Sequence, residues 1–173
     1  SVATPEDNAF CGNDLALLVL TDVIPGSVAR PVTPGVQHLM TDPRFSGFFS
    51  AIGYGLTGPQ GSPGAESGTR YRRDDVPVLC IPGSEELPCS EAHNPKEFAG
   101  GDGTCSGDSG SSAFERTSFQ RGAPVSLGVL SRGAIDCVGS TYTRFDAHRD
   151  FVLRVARLAS SDWTLYPEPA WTA

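Results

Sequence analysis

No stretch of this chain stays apolar for long: the longest run, residues 15–20, is far too short to span a bilayer. Charge is scarce as well, with 19% Asp, Glu, Lys and Arg, below the usual quarter of a soluble protein. The charge that is present leans acidic, 20 acidic against 13 basic side chains, for a formal net charge of −7. Such a surface repels a phosphate backbone, and no basic stripe interleaved with aromatics offsets it, which argues against nucleic-acid binding. Residues 1–8 are polar and lack signal-peptide character, so any export signal is expected upstream of Ser1. No two cysteines have the close spacing of a zinc knuckle, and His38, His93 and His148 do not accompany them, so neither a metal nor a cofactor is expected.

What the chain does have is glycine and proline, 20 and 14 in 173 residues, with 39% hydrophobic residues. That much punctuation breaks long helices and favours many short strands joined by turns, in one or two compact domains. The five cysteines, at 11, 80, 89, 105 and 137, read as structural disulfides in an oxidising compartment. Their odd number leaves at least one thiol free or paired outside the chain.

Residues 15–20 suit a strand buried on both faces. Residues 25–47 read as a connector and 56–68 as a loop. Further strands are expected at 51–55, 69–73, 76–80, 113–115, 125–131 and 140–145. One helix is expected, over 146–159, with Asp146 as N-cap and Phe151, Val152, Val155, Leu158 and Ala159 on its apolar face. The remaining residues through Trp163 and Trp171 form a tail without a pattern.

The segment Gly103-Thr104-Cys105-Ser106-Gly107-Asp108-Ser109-Gly110 carries the strongest chemical signal. A serine hydroxyl attacks a carbonyl only when it is exposed on a tight turn near a base. The oxyanion that forms needs backbone N–H donors, and glycines let the backbone come close to it. Ser109, between Gly107 and Gly110, meets the local requirement, and Cys105 could pin the turn. Taken alone, a Gly-Asp-Ser-Gly tetrapeptide is more often an ordinary surface loop.

Cys105 to Gly110 resembles the nucleophile motif of the chymotrypsin/trypsin family of serine peptidases, cysteine-any-Gly-Asp-Ser-Gly. Asn13-Asp14-Leu15-Ala16-Leu17-Leu18 resembles that family's aspartate segment, and Val28-Ala29-Arg30-Pro31-Val32 its inter-barrel connector. Gly53-Tyr54-Gly55 stands where the family has Gly-Trp-Gly. Leu127-Gly128-Val129-Leu130-Ser131 with Cys137 is similar to its pocket wall, and Thr141-Tyr142-Thr143-Arg144 with the closing helix to its ending. Six such matches fall in the family's order from residue 11 to residue 159.

The resemblance implies an all-β fold, a chymotrypsin-like double β-barrel with a C-terminal helix. Residues 1–30 would hold only the last strand of the first barrel, 31–47 the connector, 48–145 a complete second barrel, 146–159 the helix and 160–173 a tail. It implies Ser109 as nucleophile, Asp14 as the carboxylate that orients the base, and the N–H groups of Gly107 and Ser109 as oxyanion donors. Gly103 would floor the specificity pocket, walled by Gly133 and Ser140, with Ser131 at its neck supporting Asp14. A neutral floor disfavours Arg and Lys side chains, since an unpaired cation is costly to desolvate. Asp108 resembles the aspartate that pairs with a new N-terminal amine when a zymogen is activated. Cys105–Cys137 is the disulfide the family implies. Cys80–Cys89 follows from proximity alone, with Cys11–Cys89 as its rival.

The family's catalytic histidine precedes its aspartate, and no histidine precedes Asp14 here. His38, His93 and His148 fall where the family does not face the serine, and read as surface residues. The histidine is therefore expected on an N-terminal companion chain or omitted segment, possibly disulfide-linked through Cys11. The resulting expectation is a secreted or otherwise extracytoplasmic serine endopeptidase acting on peptide or protein substrates, without a membrane span. The alternative is a catalytically inactive homologue that binds proteins. Arg132, in place of a pocket-wall tryptophan, and Ser111-Ser112 after the nucleophile depart from the family pattern.

Overall fold

Short strands separated by glycine- and proline-rich turns form almost the whole fold. The computed structural model describes residues 1–7, 9–37, 40, 45–90, 93–134, 136–162 and 170–172. Three two-residue strands come first: β1 Val2–Ala3, β2 Leu17–Leu18 and β3 Thr33–Pro34. Six longer ones follow: β4 Phe48–Gly53, β5 Tyr71–Cys80, β6 Glu97–Gly100, β7 Ser112–Glu115, β8 Val125–Gly133 and β9 Ser140–Arg144. Strands β8, β7, β4, β5, β6 and β9 pair in that order, all antiparallel, and β9 returns to β8. The result is a closed six-stranded barrel, which removes the exposed edges that an open sheet would leave. Strand β3 lies parallel to the start of β8, end to end with β9 on the same edge.

The barrel is filled by three aromatic rings. Phe98 stacks on Tyr142 at 4.9 Å between centroids, and Phe49 meets both edge-on at 5.9 and 5.1 Å. All three are fully buried, with Val76, Val78, Ile81, Leu127 and Leu130 around them. Burying each such side chain contributes roughly 1.5–3 kcal/mol. A second apolar cluster joins Leu15 and Val36 to Phe145, Phe151, Val152 and Leu153, with Ala3, Leu17 and Trp171 packed against it. Through this cluster the N-terminal segment rests on the barrel's outer wall and on the closing helix.

Several expectations from the sequence are corrected here. Only Leu17 and Leu18 of the run 15–20 are strand, and that strand is not lone: β1 pairs with it antiparallel, Val2 opposite Leu18. Nor is the run buried on both faces, since Leu18 is 68% exposed and Leu20 47%. The expected pair of strands at 69–73 and 76–80 is one strand, β5, bent at Asp75, whose φ of 55° is left-handed. Strand β6 and the short helix Arg116–Gln120 were not legible, and β3 lies inside the expected connector. The closing helix begins with a 3-10 turn, Asp146–His148, and continues as Arg149–Asp162. Asp146 sits inside that turn, buried, instead of capping it from outside. On the helix Leu153 is buried and Leu158 exposed, so the apolar face is rotated from the expected one. Trp163 lies outside the described residues.

Cys80 is joined to Cys89 and Cys105 to Cys137, while Cys11 is a free, exposed thiol. The rival pairing of Cys11 with Cys89 is thereby set aside. No described helix is long and apolar enough to cross a membrane.

Candidate active site

Ser109 stands exposed on a turn tied down on every side. Asp108 N donates to Cys105 O at 3.1 Å and Ser111 N to Asp108 O at 2.9 Å. Gly110 N and Leu130 N clasp the turn to β8 through Leu130 O and Ser111 O, both at 2.8 Å. The Cys105–Cys137 disulfide fastens its start to the loop after β8. The Asp108 carboxylate turns inward and accepts from Gly55 N at 2.8 Å and from Cys105 N at 2.9 Å. Position 55 must be glycine for this contact, because a Cβ there would lie 2.7 Å from the Asp108 Cγ. Gly107 N, Ser109 N and the Ser109 hydroxyl have no hydrogen-bond partner among the described residues. A developing oxyanion requires free N–H donors, and these two N–H groups, on either side of Asp108 in the chain, are unengaged among the described residues.

Asp14, 95 positions earlier, lines the same cleft as Ser109, a cavity of about 580 Å³ whose walls include Phe10, Leu15, Gly110 and Leu130. Its Oδ2 accepts the Ser131 hydroxyl at 2.8 Å. The cleft thus brings together Ser109, Asp14 and, through that bond, Ser131.

The residues expected to shape a specificity pocket lie outside the Ser109 cleft. Gly133 and Ser140 face each other across β8 and β9, and the buried Ser140 hydroxyl donates to Gly101 O at 3.1 Å. Gly103 lines a separate cleft of about 500 Å³, shared with Arg72, Arg73, Asp102 and Asp108. There the Arg73 stem covers Gly103, so that a Cβ on the glycine would be 2.9 Å from the Arg73 Cγ. Asp102 is exposed and accepts from Gly139 N at 2.9 Å, and Asp136 is exposed. Ser1 N donates to Val19 O at 2.7 Å, remote from Asp108.

Neither described histidine lines the Ser109 cleft. His148 is not the surface residue expected: it is buried, and its Nε2 lies 2.6 Å from Gly12 O. His93 is half-buried, within 4.8 Å of the Cys80 and Cys89 sulfurs. Because those sulfurs are bonded to each other, they offer no thiolate ligands for a metal. His38 lies outside the described residues.

Sequence reasoning missed the residue most buried near Asp14. Glu97, at the start of β6, is wholly inaccessible and takes two bonds from Arg132, at 2.6 and 2.9 Å, and one from Gly12 N at 2.8 Å. Burial pushes its carboxyl up, but the guanidinium and the N–H donors outweigh that and hold it below its ordinary value. Glu115, also buried, is pushed up by burial and brought lower overall by the N–H groups of Ser118 and Thr117, which it caps. Burial lowers His148, with Lys96 acting in the same direction and Gly12 O and Asp146 opposing.

These shifts have one sign in stability. A histidine held neutral contributes fully above its unfolded value of 6.5, and that contribution is lost as pH falls through the lower folded value. The two depressed carboxyls contribute fully above 4.5 and lose it as pH falls through their folded values. Urea midpoints should therefore be level from pH 8 down to about 6.5 and then decline in two stages. In His148→Gln the upper stage should vanish and the lower one remain; an upper stage that survives would place its cause elsewhere.

Comparison with known protein-family models and with curated proteins found no match to this sequence.

Proposed function

We propose that this chain is the serine-bearing part of a serine endopeptidase of the chymotrypsin/trypsin type. The observation that carries the reading is the shared cleft: Asp14 and Ser109 both line it, with Ser131 holding the aspartate. The closed six-stranded barrel is compatible with a chymotrypsin-like barrel, and two disulfides suit an extracytoplasmic setting.

On this reading the Ser109 oxygen attacks the scissile carbonyl carbon while an imidazole between Asp14 and Ser109 takes the hydroxyl proton. The N–H groups of Gly107 and Ser109 receive the oxyanion. The imidazolium, steadied by Asp14, passes its proton to the leaving amine as the C–N bond breaks. Water then cleaves the acyl-enzyme by the same route. With Gly103 as the floor and Ser140 and Gly133 as neutral walls, as the resemblance implies, Arg and Lys would be disfavoured at the cleaved position.

The imidazole is assigned to an N-terminal companion, chain or segment. The surface that would receive it is the apolar face of Leu18, Leu20, Val23 and Ile24, all more than two-fifths exposed and next to β2. The free Cys11 thiol beside Asp14 is the point for a covalent link. A new N-terminal amine from the companion would reach Asp108 through the 500 Å³ cleft and displace two N–H donors there.

A fluorophosphonate probe should label Ser109 in the assembled protein and not in this chain alone. Intact mass before and after reduction should reveal a partner released from Cys11. Labelling of the isolated chain would overturn the assignment of the base to a companion. An assembled protein that stays unlabelled would favour the second reading, an inactive homologue that binds proteins, for which the absence of a described histidine in the cleft is the supporting observation.

A further inference from the structure

Asp14 lies in a segment that has little regular structure of its own. Residues Phe10–Asn13 form a turn in which Cys11 and Gly12 depart from helical geometry, Gly12 with φ of 85°. A side chain at position 12 would also run into Asn94. Locally only a tight turn, closed by Leu15 N donating to Asn13 O at 2.8 Å, holds the Asp14 backbone, and the remaining anchors come from outside the segment.

The outside contacts converge on Glu97. Its Oε1 accepts from Gly12 N, two residues before Asp14, at 2.8 Å. Its two oxygens also take the Arg132 fork, and Arg132 Nη1 reaches the Ser131 hydroxyl at 3.4 Å. Ser131 in turn donates to Asp14 Oδ2. Glu97 thus grips Asp14 from two sides, along the chain through Gly12 and across the cleft wall through Arg132 and Ser131. Supporting bonds run from His148 to Gly12 O, from Asn94 Nδ2 to Cys11 O at 3.0 Å, and from Lys96 Nζ to Asn13 Oδ1 at 2.9 Å.

We propose that Glu97 is a positioning residue for catalysis, setting the Asp14 carboxylate through Gly12 on one side and the Arg132–Ser131 relay on the other. The inference rests on the peptidase reading above. A buried carboxylate with this many charge-assisted bonds is costly to assemble and gains little net stability over an apolar substitute. Its value lies in direction: small displacements of a catalytic group are expensive in rate. Arg132, where the resemblance led one to expect an aromatic pocket wall, is thereby explained as part of the same device.

The test uses Glu97→Gln, with Glu115→Gln as the matched loss of a buried carboxylate remote from Asp14. In this chain alone, Glu97→Gln should speed Gly12 amide exchange roughly tenfold or more and move the Asp14 carboxyl carbon resonance, and Glu115→Gln should do neither. In the assembled enzyme, Glu97→Gln should lower kcat by about 100-fold with KM nearly unchanged. Should Glu97→Gln fail to fold, Arg132→Lys keeps the charge and loses the fork, and should shift the same readouts in the same direction by less. Unchanged Gly12 exchange, or equal losses of kcat in the Glu97 and Glu115 variants, overturns the proposal. If the wild-type assembly is never labelled at Ser109, the peptidase reading fails on its own, and the exchange and resonance measurements still decide whether Glu97 places Asp14.

Discussion

Replacing Ser109 by alanine should abolish fluorophosphonate labelling of the assembled protein and lower peptide turnover by about a million-fold. Ser106 is on the same exposed loop, but it does not line the Ser109 cleft, and its backbone oxygen accepts from Leu56 N at 2.9 Å. Ser106→Ala should therefore leave turnover within a small factor. Asp14→Asn should cost about 10,000-fold, the scale the same change has in a Ser-His-Asp triad. An amide in place of the carboxylate still accepts from Ser131 and no longer stabilises an imidazolium. On the proposed reading Asp14 contacts the base and not the substrate, so the loss should fall on kcat. Stopped peptide turnover assays with titrated active sites measure both. A Ser109→Ala protein that keeps its turnover would remove the nucleophile assignment altogether.

The turn that carries Ser109 was legible because its requirements are local. Gly107, Asp108, Ser109 and Gly110 are consecutive, and Cys105 pairs with Cys137 as the resemblance implied. The link from Ser131 to Asp14 was also anticipated, although it spans 117 positions, because resemblance supplied what spacing cannot. Glu97 and His148 had no such help. Their partners at Gly12 lie 85 and 136 positions away, and neither residue sits in a motif. A glutamate on a strand and a histidine entering a helix carry no mark of burial in the sequence itself. Only the positive φ of Gly12, between a cysteine and the aspartate segment, leaves a trace there, as a glycine where the turn needs one.

The strands were found where apolar and β-branched residues alternate between turn formers, as in β8 and β9. Strand β6 was missed because Glu97 and Phe98 are both buried and Gly100 ends it, which hides the period of two. The run 15–20 misled for the opposite reason. Its unbroken hydrophobicity reads as burial on both faces, yet only Leu15 is buried, and the exposed Leu18 and Leu20 face where a partner is proposed. Burial in an assembly and burial in a chain leave the same imprint on sequence.

Arg144→Met should destabilise the fold by about 3–5 kcal/mol, the largest loss expected from any single charged side chain here. Arg144 ends β9 and its Nε and Nη2 hold the Asp146 carboxylate at 2.9 and 2.6 Å, with both side chains almost wholly buried. Asp146 also accepts Met40 N at 2.7 Å and Ala147 N at 2.9 Å, so one carboxylate ties the barrel, the segment before β4 and the closing helix together. Removing the guanidinium leaves that buried carboxylate without its charge partner. Against a total stability of roughly 5–15 kcal/mol, the loss approaches the margin on which the fold stands. Arg116→Met is the control, since its pair with Asp75 at 3.2 Å is open to solvent, and such pairs contribute about 0–1 kcal/mol. Changing both partners, Arg144→Met with Asp146→Leu, should recover part of the loss, because no buried charge then remains, while the bonds to Met40 N and Ala147 N stay broken. Urea unfolding of the four proteins measures these differences, and an Arg144→Met midpoint equal to that of Arg116→Met would mean that the closing helix is held by the Phe151–Leu153 packing alone.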